Sequence, residues 1–189
     1  GVTNDVSNIT LADSPSTIAF ATNREGFSEL WLQPIETGGK PLVTFFTGKL
    51  QKIELPGQGV VGGLTIDRGQ TKLAFSFSSP KSSGEIWVYD FETKKLNQIT
   101  KSDQAGIDPK TFVAPELIKY KSFDGLEIPA WYYRPQIPRG VLQGLAAHKA
   151  SQPDGTPKSV PYIYSKDNTK LPVIVSVHGG PEGQSRPGF

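Results

Sequence analysis

The chain has 189 residues, 36% hydrophobic and 20% charged, the composition of an ordinary globular protein, which argues against disorder as its main state. Twenty Lys and Arg against 18 Asp and Glu leave a formal charge of +2, with no basic stripe dense enough to hold a nucleic-acid backbone. Cysteine is absent, which removes disulfides and zinc-thiolate sites and fits a reducing cytoplasm; the two histidines, His148 and His178, stand too far apart for a local metal motif. The longest apolar run, Leu171 to Val177, is interrupted by Ser176 and falls well short of the about 18 residues that a membrane span needs.

In chain order, the first half reads as short strands punctuated by turns. Ile18-Ala19-Phe20 leads through the turn Thr22 to Gly26 into Glu29-Leu30-Trp31-Leu32, and Pro41-Leu42-Val43 follows. The same order recurs in Lys72-Leu73-Ala74-Phe75, a turn from Ser78 to Gly84, Glu85 to Asp90, and Leu96 to Ile99. Phe20 matches Phe75 and Trp31 matches Trp87, an internal repeat of about 55 residues that suits a β-propeller blade, whose faces are buried only by neighbouring blades. Residues 1–100 are therefore expected to hold about two blades of an incomplete propeller, with Phe20, Trp31, Phe75 and Trp87 packing between them. The glycine-rich stretch Leu55 to Gly63 lacks the Lys-Ser/Thr ending of a phosphate loop and reads as an inter-blade turn.

Residues 101–115, with Pro109 and Pro115, read as a linker. Two further strands, Glu116 to Phe123 and Leu126 to Tyr133, flank Asp124-Gly125, a strong hairpin signal, and Pro129 places the second at an edge or bulge. The Pro- and Gly-rich stretch from about 140 to 170 reads as a surface excursion with a short helix around Leu142 to Lys149, and His148 inside it as a solvated loop residue. Leu171 to Val177 is apolar and β-branched without alternation, which predicts a strand buried on both faces of a parallel sheet. Residues 116–189 are thus expected to be the first strands of an α/β domain. His178-Gly179-Gly180-Pro181 follows directly, and two glycines at a strand end can bring backbone N–H groups close to an oxyanion.

Together, Phe123 to Pro135 and Leu171 to Gln184 resemble the prolyl oligopeptidase family of serine peptidases, nearest to its acylaminoacyl-peptidase branch. The resemblance implies a propeller that caps an α/β-hydrolase domain, a peptide or acyl-peptide substrate, cleavage through an acyl-enzyme, and no metal or organic cofactor. It also implies that His178 to Pro181 form the oxyanion loop, with Gly180 supplying the N–H donor and Gly179 shaping the turn; other branches carry tyrosine at the His178 position. In hydrolases of this fold the nucleophile, acid and histidine follow the oxyanion loop in chain order, so the resemblance marks this chain as an excised piece, inactive alone. Gly26-Phe27-Ser28-Glu29-Leu30 and Gly183-Gln184-Ser185-Arg186-Pro187 each imitate half of a Gly-x-Ser-x-Gly elbow but end in Leu30 and Pro187 where glycine is required. Asn8-Ile9-Thr10 matches a glycosylation acceptor without the context of a signal peptide. Two other readings are a propeller binding module without catalysis, which the His178 to Pro181 turn opposes, and an esterase or lipase, which the propeller repeat opposes.

Overall fold

The sequence repeat folds as two antiparallel sheets in a computed structural model that describes residues 4–11, 16–38, 43–134, 174–179 and 183–188. The first sheet runs β1 (Asp5–Leu11), β2 (Thr17–Arg24), β3 (Phe27–Gly38), β4 (Val43–Phe46), and β5 (Gln51–Ile53) shares an edge of β3 with β4. The second runs β6 (Val60–Ile66), β7 (Lys72–Ser79), β8 (Ser82–Asp90), β9 (Leu96–Gln98). Register repeats along with sequence: Phe20 lies opposite Trp31 and Thr22 opposite Glu29, as Phe75 lies opposite Trp87 and Phe77 opposite Glu85. The turn between β2 and β3 is two residues, Glu25 and Gly26, both at positive φ, as a tight hairpin of this hand requires.

Because side chains alternate across a strand, each sheet has two unlike faces. Ala19 and Ala21 on β2 and Leu30 and Leu32 on β3 share one face of the first sheet, and with Ile53 they join Val61, Ile66, Leu73, Phe75, Phe77 and Tyr89 of the second in one buried cluster. An aliphatic face thus receives one that carries Phe75, Phe77 and Tyr89, so large and small side chains alternate across the layers. Phe75 and Trp87 lie on the packed face, as expected, but Phe20 and Trp31 lie on the opposite face of the first sheet and are half-buried. The repeat explains this correction: Phe20 and Trp31 occupy the face of the first sheet equivalent to the one that buries Phe75 and Trp87 in the second, and the first sheet packs through its other, aliphatic face.

Sequence reading missed β1, β5 and β6, and β6 begins inside the stretch taken for a turn. Gly62 and Gly63 lie at a β-bulge, with Gly63 at φ +59°, so glycine here bends a strand and does not end it. Among the described residues one buried side-chain polar atom is orphaned: the Trp87 indole Nε1 has no hydrogen-bond partner, whereas Trp31 Nε1 donates to Thr22 Oγ1 at 3.2 Å. The repeat position equivalent to Thr22 is Phe77, which has no acceptor to offer.

The segment after β9 is held to the second sheet through Glu85, only 3% exposed, whose carboxylate accepts from Thr100 Oγ1 at 2.6 Å and from the Ser102 N–H at 2.7 Å. These bonds hold its carboxyl below the ordinary 4.5. A 3-10 turn at Pro109–Thr111 is capped by Asp108, and the hairpin β10 (Glu116–Lys121) and β11 (Glu127–Tyr132) pairs as the Asp124-Gly125 signal predicts, with Gly125 at φ +86°. The chain divides into a unit of residues 1–133 and 184–189 and a unit of residues 134–183. In the second unit, 174–178 carries no strand, and Ile174, Val175 and Val177 are 94%, 79% and 84% exposed, so the expected buried parallel strand is absent from this described part. Such a strand is buried only between parallel neighbours under covering helices, and the described residues include no α-helix and only antiparallel pairs. The predicted helix around Leu142 to Lys149, His148 and the whole 140–170 excursion lie outside the described residues.

Two measurements test this packing. Replacing Trp87 with phenylalanine removes an unsatisfied donor and is expected to change stability by less than about 1 kcal/mol, whereas Trp31→Phe removes a satisfied one and is expected to cost about 1 to 2 kcal/mol by denaturant unfolding. Glu85 ionises more readily folded than unfolded, so its stabilisation is complete above the unfolded carboxylate range of about 4 and is lost as pH falls through its lowered folded value. The urea midpoint should therefore drop between pH 6 and pH 3, and Glu85→Gln should flatten that drop; equal slopes would contradict this account of Glu85.

Candidate functional site

His178 and Gly179 are exposed and outside regular structure, and Gly180 and Pro181 lie outside the described residues. The His178 Nδ1 lies 3.4 Å from the carbonyl of Gly179, its own chain neighbour. Gly179 takes no left-handed φ, and a Cβ there would meet open space. Its own backbone therefore has no need of glycine; a requirement at this position would come from an approaching ligand.

The two imitation elbows come together. Ser28, at the start of β3, donates its N–H to the Gly59 carbonyl at 2.8 Å, while its Oγ accepts from the Val61 N–H at 2.9 Å and from Arg186 Nη2 at 3.0 Å. This buried hydroxyl acts as an acceptor for two donors, with no imidazole against it among the described residues, which is the opposite of an activated nucleophile. The Arg186 Nε donates to the Gly26 carbonyl at 2.9 Å, and the Trp131 indole donates to the Ser185 carbonyl at 2.9 Å. Pro187 is fully buried, the Trp131 ring meets Phe27 edge-on with centroids 5.1 Å apart, and Asn23 bonds Gln184. A Cβ on Gly26 would come within 2.6 Å of the Trp131 ring, at a φ of +89° that side chains rarely adopt, so glycine is required on both counts.

Burial lowers the Arg186 pKa, but guanidinium stays protonated, so this is a half-buried cation held by two neutral oxygens, with no carboxylate within ion-pair distance among the described residues. Sequence reading passed over Arg186 and Trp131. The only trace of the contact was the pair of Gly-x-Ser segments, whose shared pattern does not reveal that they meet.

Beside Ser28 an open cavity of about 540 Å³ is lined by Arg24, Phe27, Glu29, Lys52, Leu55 and Gln58 among others. Glu29 receives Lys52 Nζ at 2.8 Å and Arg24 Nη1 at 3.1 Å, and the Lys52 hydrogen bond, then that of Arg24, hold its carboxyl below the ordinary range. A smaller cavity of about 230 Å³, lined by Phe27, Gln58, Pro80, Lys81, Ala114 and Pro115, opens between the turns and the linker. Asn8, of the glycosylation-like triplet, spends its amide on the Val61 carbonyl at 3.4 Å. No helix among the described residues is long and apolar enough to cross a membrane.

No family model matches the chain. In sequence it is 26% identical over 132 residues to the prolyl endopeptidase of Elizabethkingia miricola, which covers 69% of this chain and 17% of that protein. In structure it superposes on a prolyl endopeptidase with a TM-score of 0.52 at 16% identity, covering 69% of this chain and 17% of the other. Prolyl oligopeptidase B of Galerina marginata, solved with a 35-residue hydrolysis and macrocyclisation substrate, gives 0.51 at 19% identity over 67% of this chain and 16% of its own. The chain thus spans about a sixth of the length of these relatives, and the all-β architecture of its described residues resembles their propeller domain. Sequence and structure comparisons both point to the prolyl endopeptidases and prolyl oligopeptidases, a match at the level of the family.

Proposed function

We propose that this chain is part of a propeller-capped, cytoplasmic serine peptidase, carrying two blades, the linker and the opening of the hydrolase domain. The observation that carries the reading is the agreement between the repeat, folded as two head-to-tail sheets, and a likeness to prolyl endopeptidase over 69% of the chain. In this enzyme an activated serine attacks a peptide or acyl-amino carbonyl, the amine leaves, and water cleaves the acyl-enzyme. The serine, acid and histidine are expected outside this chain. Its own contribution is the turn His178 to Pro181, where the Gly180 N–H, shaped by Gly179, donates to the tetrahedral oxyanion. The exposed, sterically open setting of Gly179 supports a turn that a substrate carbonyl can approach.

On this reading His178, where other branches have tyrosine, favours acylaminoacyl substrates, while the names of the relatives favour cleavage within peptides at proline. A panel of acetylaminoacyl and internal-proline peptides separates the two. The isolated chain should hydrolyse neither. In a protein carrying this chain together with the full triad, Gly180→Val should lower kcat about 100- to 1,000-fold with little change in KM, because the donor acts mainly in the transition state. Near-normal kcat in a folded Gly180→Val enzyme would overturn the oxyanion role, and turnover by the isolated chain that disappears with Ser28→Ala or Ser185→Ala would overturn the whole reading.

A further inference from the structure

We infer that this chain binds a second copy of itself head to tail: the open face of its first sheet receives the open face of another copy's second sheet. The inference concerns the 189-residue chain by itself and does not depend on the oxyanion reading.

The packed face of the second sheet shows what the open face of the first is built for. In the second sheet Ile66, Leu73 and Phe75 belong to the buried cluster, with Leu64 and Trp87 packed against it. One repeat earlier the first sheet carries Ile9, Leu11, Ile18, Phe20 and Trp31 in the same frame: Leu11 lies opposite Ile18 as Ile66 lies opposite Leu73, and Phe20 lies opposite Trp31 as Phe75 lies opposite Trp87. Yet Ile9 is 62% and Leu11 51% exposed, and Ile18, Phe20 and Trp31 are only partly buried. A face whose counterpart is a core thus stands in water, and a contiguous apolar face of this kind marks an interaction surface.

The mate of that face is on the same chain. Within the chain the aromatic face of the second sheet is received by Ala19, Ala21, Leu30 and Leu32, where Ala19 lies opposite Leu32 and Ala21 opposite Leu30. The equivalent positions one repeat later are Ala74, Ser76, Ile86 and Val88, where Ala74 lies opposite Val88 and Ser76 opposite Ile86. Two small residues again face two aliphatic ones. These four alternate with Leu73, Phe75, Trp87 and Tyr89, so they lie on the side of the second sheet away from the cluster. Ile86 is 41% exposed, and the other three are only partly buried.

One chain therefore presents two open faces of the kinds that already fit each other once inside it, and a second copy continues that interface by one more step. This commits the occupant: an aromatic face laid on another aromatic face, as in a two-fold dimer, would set large side chains against large ones, whereas the head-to-tail contact alternates large with small. Because the two faces differ, the contact is heterologous. A pair of copies still offers one face of each kind, so association continues past the dimer into a ring or an open chain.

Sedimentation velocity of this chain over a concentration series tests the inference, and the apparent mass should rise past that of two copies. Ile9→Asp places a charge on the open face of the first sheet and Ile86→Asp on that of the second, each at an exposed side chain outside the buried cluster. Either variant alone should stay monomeric. Mixed in equal amounts they should form a complex of two copies and no larger, because each supplies the face that the other lacks. Circular dichroism checks that each variant is folded, and Leu11→Asp takes the place of Ile9→Asp if that variant loses its strands. A parent chain that is monomeric at every concentration, a parent dimer that Ile86→Asp leaves intact, or a mixture of folded variants that stays monomeric would each overturn the inference.

Discussion

Packed sheets ordinarily stand about 10 Å apart with side chains between them, and here the two sheets also meet backbone to backbone, at Gly59. Its carbonyl accepts the Ser28 N–H at 2.8 Å, two residues before the Val61 N–H reaches back to the Ser28 hydroxyl at 2.9 Å. A side chain at Gly59 would run into the Ser78 carbonyl oxygen and the Phe77 ring. Strand β6 follows directly, so this contact sets where the second sheet begins relative to the first and lets the Phe75 and Phe77 face meet the Ala19 and Ala21 face. The anchor for Arg186 is the same Ser28 hydroxyl, so the inter-sheet contact and the candidate site share one residue.

The repeat also shows how equivalent positions are put to different uses. Glu29 and Glu85 occupy the same place opposite Thr22 and Phe77, yet one is neutralised by Lys52 and Arg24 beside an open cavity and the other is closed in by Thr100 and Ser102. The first is an ion cluster whose two cations reach into solvent, of modest worth, and the second a buried carboxylate that fastens the segment after β9. Trp31 and Trp87 diverge likewise, because Thr22 offers an acceptor and Phe77 does not. The unit keeps its pairing frame while single side chains are respecialised.

Much of the propeller half was legible because alternation of period two and hairpin chemistry are local signals. The two strand–turn–strand units around Phe20 and Trp31 and around Phe75 and Trp87, and the Asp124-Gly125 hairpin, all form antiparallel pairs. What sequence did not reveal depends on distant contacts. Strand β6 was hidden because its bulge glycines look like turn residues, and the positions of Phe20 and Trp31 depend on which face meets a neighbour. The Leu171 to Val177 run was read as a buried strand from composition alone, while burial depends on partners absent beside 174–178 among the described residues. The His178 to Pro181 turn was legible as a motif, but Arg186 was not, since nothing local distinguishes it from a surface arginine.

The central claim, that the close approach at Gly59 holds the two sheets together, is tested most directly by comparing alanine at two glycines of the same stretch. A Cβ at Gly59 would meet the Ser78 carbonyl and the Phe77 ring of β7, so the backbone at Gly59, and with it the carbonyl that accepts the Ser28 N–H of the first sheet, would have to move, whereas Gly57 faces nothing within 4 Å and has no left-handed φ. Denaturant unfolding of Gly59→Ala should show a loss of about 2 kcal/mol or more, the cost of forcing atoms into a filled contact. Gly57→Ala should stay within about 1 kcal/mol of the parent, on the stabilising side if it moves at all. Equal stability of the two variants would contradict the account.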